Sequence, residues 1–302
     1  MNPPRALAPA VRSDVSDRPG RLAVGIVGAG RAGAAFAAAL DRVGHHVVAA
    51  TTSSRSFPLL EALGDLPRLP APDVASMADL VILTVPDDTL PDLVRGLAVT
   101  GSLRPGQIVV HAAGRYGLEV LAPATEVGAL PIALHPAMTF SGTEADLARL
   151  SDATIAVTAP PEFDVVGAAL ALELGGEPVF VPDELRTRWH AALTHGANHL
   201  VTLVGQSADL LASVGVQRPD RVLGPLLFAA LDNVLRQGDA ALTGPVSRGD
   251  AATVAAHLRD LDADPARPAY LVLAAATVDR AVASGRLSRP AADAVRGVLE
   301  GS

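Results

Sequence analysis

Two columns of the composition are empty. The 302-residue chain has no cysteine, and all 24 of its basic side chains are arginine, so it also has no lysine. Without cysteine there can be no disulfide framework, zinc–thiolate site, iron–sulfur cluster or thiol nucleophile. Without lysine there is no Schiff-base chemistry, no phosphate-gripping loop lysine and no ammonium proton donor. Aromatic residues are scarce at 3% and the formal charge is −8 with no basic run, which excludes the electrostatic footprint and stacking surface of a nucleic-acid binder. No stretch reaches the roughly 18 to 20 unbroken apolar residues of a membrane span. Residues 1–20 lack the apolar segment of a signal peptide and read as a disordered tail, so a cytoplasmic protein with no membrane partner is expected. Acids, bases and cations must therefore come from His, Asp, Glu, Tyr and Arg.

What is present is a large apolar complement, 49% of residues, arranged in two rhythms. From Leu22 onward, β-branched runs alternate with alanine- and leucine-rich helical stretches, the pattern of a doubly wound, mostly parallel sheet of Rossmann type. Strands are expected at 22–27, 46–50, 80–85, 107–111 and 129–134, with sheet extensions at 154–158 and 178–181, and a helix over 32–43. After Pro182 only helical periodicity remains. The expected organisation is a dinucleotide-binding domain over 21–183 and an all-helical substrate or dimerisation domain over 184–302.

The first expected strand runs into Gly28-Ala29-Gly30-Arg31-Ala32-Gly33 and then into an alanine-rich helix, the strand–turn–helix context that gives a G-x-G-x-x-G motif its meaning. Gly28 permits a tight turn, Gly30 lets backbone approach a pyrophosphate, and Gly33 lets helix pack on strand. The end of the second strand reads Thr51-Thr52-Ser53-Ser54-Arg55 and has no carboxylate for a ribose diol. Ser53, Ser54 and Arg55 suit the extra phosphate of NADP, so NADP(H) is favoured over NAD. Val85 and Pro86 should border the nucleotide groove, with Gly114 nearby; Asp87 and Asp88 read as turn and cap residues.

Titratable side chains gather after two later strands, at His111-Ala-Ala-Gly114 and on a His135-Pro136 loop leading to Gly142. Histidine suits a proton transfer that accompanies a hydride transfer, although a strand-end histidine also serves as a hydrogen-bonded edge residue. Further on, a regular helix would place Trp189, Leu193, Leu200, Leu203 and Val204 on one arc and His190, Thr194, His195, Asn198 and His199 on the other. That polar stripe either faces water or faces the cleft, where Asn198 with His190 or His195 would contact substrate. His195 and His199 have metal-ligand spacing, but Gly-Ala-Asn between them supplies no carboxylate and no metal is expected. Arg248 offers a planar fork for a substrate carboxylate or a cofactor phosphate, and Asp250 is placed to cap the helix that follows it.

Taken together, the glycine motif, Val85-Pro86-Asp87-Asp88, His135-Pro136, the His190–His199 helix and Leu242-Thr243-Gly244-Pro245 through Arg248-Gly249-Asp250 resemble a bacterial family of Rossmann-like oxidoreductases whose C-terminal helical domain has no assigned function. The resemblance covers residues 21–300. More distantly, the plan is similar to pyrroline-5-carboxylate reductase, the 6-phosphogluconate and beta-hydroxyacid dehydrogenases, and prephenate dehydrogenase. It implies a homodimer built by the helical domain and an NADP-dependent hydride transfer to or from a small, carboxylate-bearing carbonyl, alcohol or imine compound. Beta-hydroxyacid dehydrogenases use a lysine four residues before an asparagine; here Thr194 stands four before Asn198, so that proton donor is missing. Prephenate dehydrogenases carry a functional histidine in a His-Pro loop, which His135-Pro136 with Gly142-Thr143-Glu144 resembles. The catalytic expectation is therefore His135, His195 and Asn198, with Thr194, His190 and Arg248 toward the substrate. The alternative is a regulatory or scaffold protein that binds NADP without chemistry.

Overall fold

The computed structural model describes residues 20–51 and 57–301. The expected tail at 1–20 lies outside them except for Gly20, as do Ser53, Ser54 and Arg55. The chain divides into two compact units, Met1–Leu193 and Thr194–Ser302.

The first unit is a seven-stranded sheet of β1 (Ala23–Val27), β2 (His46–Thr51), β3 (Leu80–Leu83), β4 (Ile108–His111), β5 (Leu130–Pro136), β6 (Thr154–Thr158) and β7 (Glu177–Phe180). The spatial order is β2-β1-β3-β4-β5-β6-β7, parallel except for the β5–β6 pair. This is the expected Rossmann-type sheet. Because β2 lies on one side of β1 and β3 on the other, the chain reverses direction across the sheet at β1, and open α/β sheets bind ligands over the carboxyl ends of strands at such a point. Strand residues alternate between two apolar clusters: Val24, Ile26, Leu80 and Ile82 pack with Phe36 and Leu40 of α1 (Arg31–Arg42) and share their cluster with Leu170 of α4 (Asp164–Glu173), whereas Val27, Val81 and Leu83 pack with Val74 of α2 (Ala71–Met77) and Val94 of α3 (Leu90–Val99). Both faces are covered, which is why these strands read as unbroken apolar runs.

Two boundaries differ from the sequence reading. β5 was expected to end at Leu134 with His135-Pro136 on a loop, but both residues belong to the strand, because β6 runs antiparallel to it and pairs His135 with Ala156 and Pro136 with Ile155. Pro136 is tolerated because β4 pairs with β5 only as far as Ala133, so on that side no partner asks for its missing N–H. The units divide ten residues later than the expected 183/184 boundary. The reason is Arg186: wholly buried in α5 (Arg186–Leu193), it donates to the carbonyls of Tyr116, Ala156 and Ala113 and ties that helix to the sheet.

The second unit begins with a π-helical turn, Thr194–Asn198, then α6 (His199–Ser213), α7 (Pro219–Gln237), α8 (Ala251–Asp260), α9 (Arg267–Ala283) and α10 (Arg289–Glu300). Its core is built by Val254 and Leu258 of α8, Val278 and Ala281 of α9, and Ala292 and Val295 of α10, with Leu287. α6 and α7 pack on each other but contain no buried residue. Among the described residues, no helix is long and apolar enough to cross a membrane.

Candidate functional site

The β1–α1 turn is shaped for an anion. Gly28 has φ +92°, and a Cβ there would meet Val85 at 2.8 Å, so a side chain is excluded both by conformation and by space. At Gly33 a Cβ would fall 2.5 Å from Thr84 Oγ1. Gly30 differs: its nearest neighbour would be the Gly28 carbonyl at 3.9 Å, so the backbone there faces open space. Gly30 is also the N-cap of α1, with no side-chain cap and no acidic residue in the first turn. The unpaired N–H groups at Arg31, Ala32 and Gly33 and the positive end of the helix dipole are thus left for a ligand. Neighbouring strands hold the turn: Ala29 N–H donates to the Thr51 carbonyl at 2.8 Å and Thr84 Oγ1 to the Gly28 carbonyl at 2.7 Å. Sequence reasoning missed Thr84; its place directly after a buried strand was the available signal. A dinucleotide pyrophosphate fits this cradle. Val85 lies against Gly28, while exposed Pro86 caps α3 through its carbonyl, which accepts from Thr89 and Leu90 N–H. Asp87 pairs with Arg115, on the loop after β4, at 3.3 Å.

His111 and His135 lie at the carboxyl ends of adjacent strands, yet their surroundings differ. His111 is wholly buried; its Nδ1 accepts from Ala113 N–H at 3.2 Å, which leaves Nε2–H to donate to the Gly117 carbonyl at 2.9 Å. Both ring nitrogens are consumed in shaping the loop. Burial drives its pKa down to about 3, against the Gly117 hydrogen bond and with help from Arg186 and His135. Half-buried His135 accepts at Nδ1 from the Trp189 indole N–H at 3.3 Å and meets the His190 ring edge-on, centroids 5.8 Å apart. Burial, then Arg186, then His190 bring its pKa to about 4, so the ring is neutral at pH 7. Gly114 sits beneath the pair: a Cβ would lie 2.5 Å from His190 Cδ2 and 2.9 Å from His135 Nε2. Asp183 closes the far side of this loop by accepting from Leu118 N–H at 2.5 Å. Burial lowers the Arg186 pKa to about 10, which leaves it a cation at neutral pH.

Residues 7–136 match the Rossmann-like domain family, and residues 153–277 match a domain of unknown function, DUF2520. The chain joins a Rossmann-like domain to a DUF2520 domain. None of the curated proteins compared matches the sequence. Among solved structures, a candidate NADP oxidoreductase from Bacteroides fragilis is 24% identical with a TM-score of 0.71, the match covering 85% of this chain and 98% of that one. A reductive aminase from Aspergillus terreus in complex with NADPH and ethyl levulinate is 18% identical with a TM-score of 0.60, covering 91% and 99%. Pyrroline carboxylate reductase from Plasmodium falciparum with NADP bound is 11% identical with a TM-score of 0.55, covering 87% and 98%. These likenesses establish a shared fold.

The DUF2520 match begins at β6 and therefore straddles the two compact units. It supplies Arg186, Trp189 and His190 to the histidine cluster, whereas His111, Gly114 and His135 come from the Rossmann-like match. Trp189 and His190 were expected on opposite arcs of one helix, the first toward the core and the second in a polar stripe; both lie against His135. The two are adjacent on the regular helix α5, about 100° apart, so both reach His135 from neighbouring directions; the π turn at Thr194–Asn198 then takes more residues per turn and breaks the phase for the residues after it. Beyond it, Leu200 and Leu203, expected to face a core, are exposed. Within the second unit His195 and Asn198 are exposed and Thr194 is half-buried. His195 Nδ1 lies 3.2 Å from His199 Nδ1. Among the described residues, no group of three or more His, Asp or Glu side chains is arranged to hold a metal. Arg248 is exposed and shares a surface groove with Arg286 and Thr243. Asp250 caps α8, accepting from Thr253 N–H at 3.0 Å and from Thr253 Oγ1 at 2.7 Å.

Proposed function

We propose that the chain is an NADP(H)-dependent oxidoreductase acting on a small, carboxylate-bearing carbonyl, alcohol or imine compound. One observation carries this reading: an uncapped, glycine-built helix N-terminus at the carboxyl ends of the strands, on the same sheet edge as a half-buried histidine with one ring nitrogen that has no partner among the described residues. The nicotinamide cofactor, when bound, supplies the hydride. The backbone at Gly28–Gly33 would hold its pyrophosphate, Val85, Pro86 and Gly114 would border its groove, and Ser53, Ser54 and Arg55 would take the additional phosphate. His135 would meet the reacting group of the substrate. Beside it, His190 would contact the substrate; from the second unit, we assign His195 to proton transfer, Asn198 and Thr194 to orientation, and Arg248 to a substrate carboxylate. NADP bound to the Plasmodium enzyme and NADPH bound to the Aspergillus enzyme support the choice of cofactor, as does the absence of an acidic residue after β2.

The test is direct: NADPH should bind more tightly than NADH and be oxidised with members of a panel of keto acids and imines. Binding without oxidation across the panel would favour the non-catalytic, nucleotide-holding alternative.

We further propose that the chain forms a homodimer through α6 and α7. Both helices lack buried residues, yet Val201, Leu226, Phe228 and Leu235 are 63–78% exposed on them. A second copy presents the same apolar surface and can cover it by two-fold symmetry.

A further inference from the structure

We propose that Trp189 is a positioning residue that locks His135 in its Nε2–H tautomer, so that His135 meets a substrate as a fixed hydrogen-bond donor. An indole N–H can donate and cannot accept. The Trp189 Nε1–H contact at 3.3 Å therefore requires a lone pair on His135 Nδ1. In a neutral ring the single proton is then on Nε2. His111 provides an internal comparison. A backbone N–H sets its tautomer in the same way, but its Nε2–H is spent on the Gly117 carbonyl. Among the described residues the Nε2 of His135 has no hydrogen-bond partner. It is also the nitrogen that a Cβ at residue 114 would crowd, so glycine keeps the approach to it open.

The charged and titratable groups around the ring act in one direction. Arg186 from α5 and His190 from the same helix oppose a second proton on His135, and His135 in turn opposes one on His111 of β4. A neutral imidazole donor gives up its last proton only with difficulty, so His135 stabilises developing negative charge and keeps its proton. The atom it binds must be an acceptor. A carbonyl oxygen meets that need, whereas a protonated imine nitrogen has no lone pair and would bring a second positive charge beside Arg186. This last step rests on the oxidoreductase reading above; the tautomer lock does not.

The experiment uses the full chain labelled with 15N, and long-range 1H–15N correlation of the histidine rings at pH 7. The His135 signals are assigned by their loss in His135→Gln. The expected result is a neutral ring with its proton on Nε2, and in Trp189→Phe a mixed ring with at least a several-fold rise in the Nδ1–H form. An imidazolium, an Nδ1–H ring in the wild type, or an unchanged ring in Trp189→Phe overturns the lock. Should Trp189→Phe fail to fold, Trp189 itself reports: it is the only tryptophan in the chain, so its indole N–H resonance is unambiguous. In His135→Ala that N–H should exchange with solvent about ten-fold faster; an unchanged rate overturns the contact. In NADPH turnover with pyruvate and 2-oxoglutarate, each with and without methylamine, a requirement for the amine overturns the donor role. Failure to bind NADPH at all removes the oxidoreductase reading and leaves the lock to be decided by the ring spectra.

Discussion

The two compact units solve the problem of apolar burial differently. In the sheet unit, β3 is buried along its whole length and two clusters cover both faces of the sheet with the unit's own helices. In the helical unit, α8, α9 and α10 enclose a small core, while α6 and α7, with 15 and 19 residues, contain no buried residue. Fully burying a Leu or Phe side chain is worth about 1.5–3 kcal/mol relative to leaving it in water. The sheet unit takes that stabilisation within one copy of the chain. The helical unit forgoes it at Leu226, Phe228, Leu231 and Leu235 unless something covers them. An amphipathic pattern in a sequence states that a face is apolar; it does not state which molecule completes the burial.

The sharpest way to break this comparison is to spoil the self-sufficient unit at its ligand edge. Gly33→Val should abolish NADPH binding, with a loss of more than a hundred-fold by fluorescence titration, because its Cβ would collide with Thr84 Oγ1 and drive α1 from β1. The same change should lower stability by about 1–3 kcal/mol, the usual cost of overpacking. Gly30→Ala is the informative control. Its Cβ enters open space, so the melting temperature should hold while NADPH affinity falls about ten-fold, because the methyl group occupies the approach to the pyrophosphate. Equal melting-point losses in both variants would show that the turn is only a packing device.

A second break lies between the two strand-end histidines. Each has a folded pKa below its ordinary 6.5, about 3 for His111 and about 4 for His135. Between those values and 6.5 the unfolded chain binds more protons than the folded one, so stability falls as pH drops from 6.5 toward 3 and is fully present above 6.5. For buried His111 the depression corresponds to on the order of 3–5 kcal/mol. His111→Gln should therefore flatten the acid limb of stability measured by urea denaturation at several pH values, while lowering stability at pH 7 through the lost loop hydrogen bonds. An acid limb as steep as that of the wild type would assign the acid sensitivity to other groups.

Much of this was legible before any coordinates, for identifiable reasons. The sheet showed because strands buried on both faces read as β-branched runs, and Gly28, Gly30 and Gly33 showed because their roles are steric and local in sequence. Their three assigned duties reappear as a positive φ, an open approach and a close contact. The histidine cluster was only half legible. His135 stood out by residue type and strand position, but the partners that define it, Trp189, Arg186 and Gly114, are 21 to 54 residues away and meet it only once β5, the loop after β4 and α5 have docked. The π turn was invisible because no composition signal separates five residues of π-helix from α-helix, and it moved every angular argument beyond Leu193.

The exposed helices supply the next test. Phe228→Glu and Leu235→Glu place charge on residues that are already 76% and 78% exposed, so neither should unfold an isolated chain. Light scattering should give a mass twice the chain's in the wild type and about half of that in the double variant. A wild-type monomer would mean that α6 and α7 serve another partner, and the contrast between the units would then concern recognition rather than assembly.

The smallest expected effect concerns a feature that both sequence and structure assign to architecture. Asp250 caps α8 with two hydrogen bonds from Thr253, and these hold its carboxyl below the usual carboxylate range. A depressed folded pKa gives a contribution present above the ordinary aspartate value and lost as pH falls through the folded one. Asp250→Ala should lower the melting temperature by a few degrees, the scale of a lost N-cap, whereas Asp250→Asn should cost less because the amide oxygen can still accept from Thr253 N–H. NADPH affinity should be unchanged in both. Since α8 belongs to the small core with α9 and α10, the loss should appear in the transition that melts the helical unit, followed by circular dichroism. A fall in NADPH binding in parallel with that transition would show that the nucleotide cradle does not stand on the sheet unit alone.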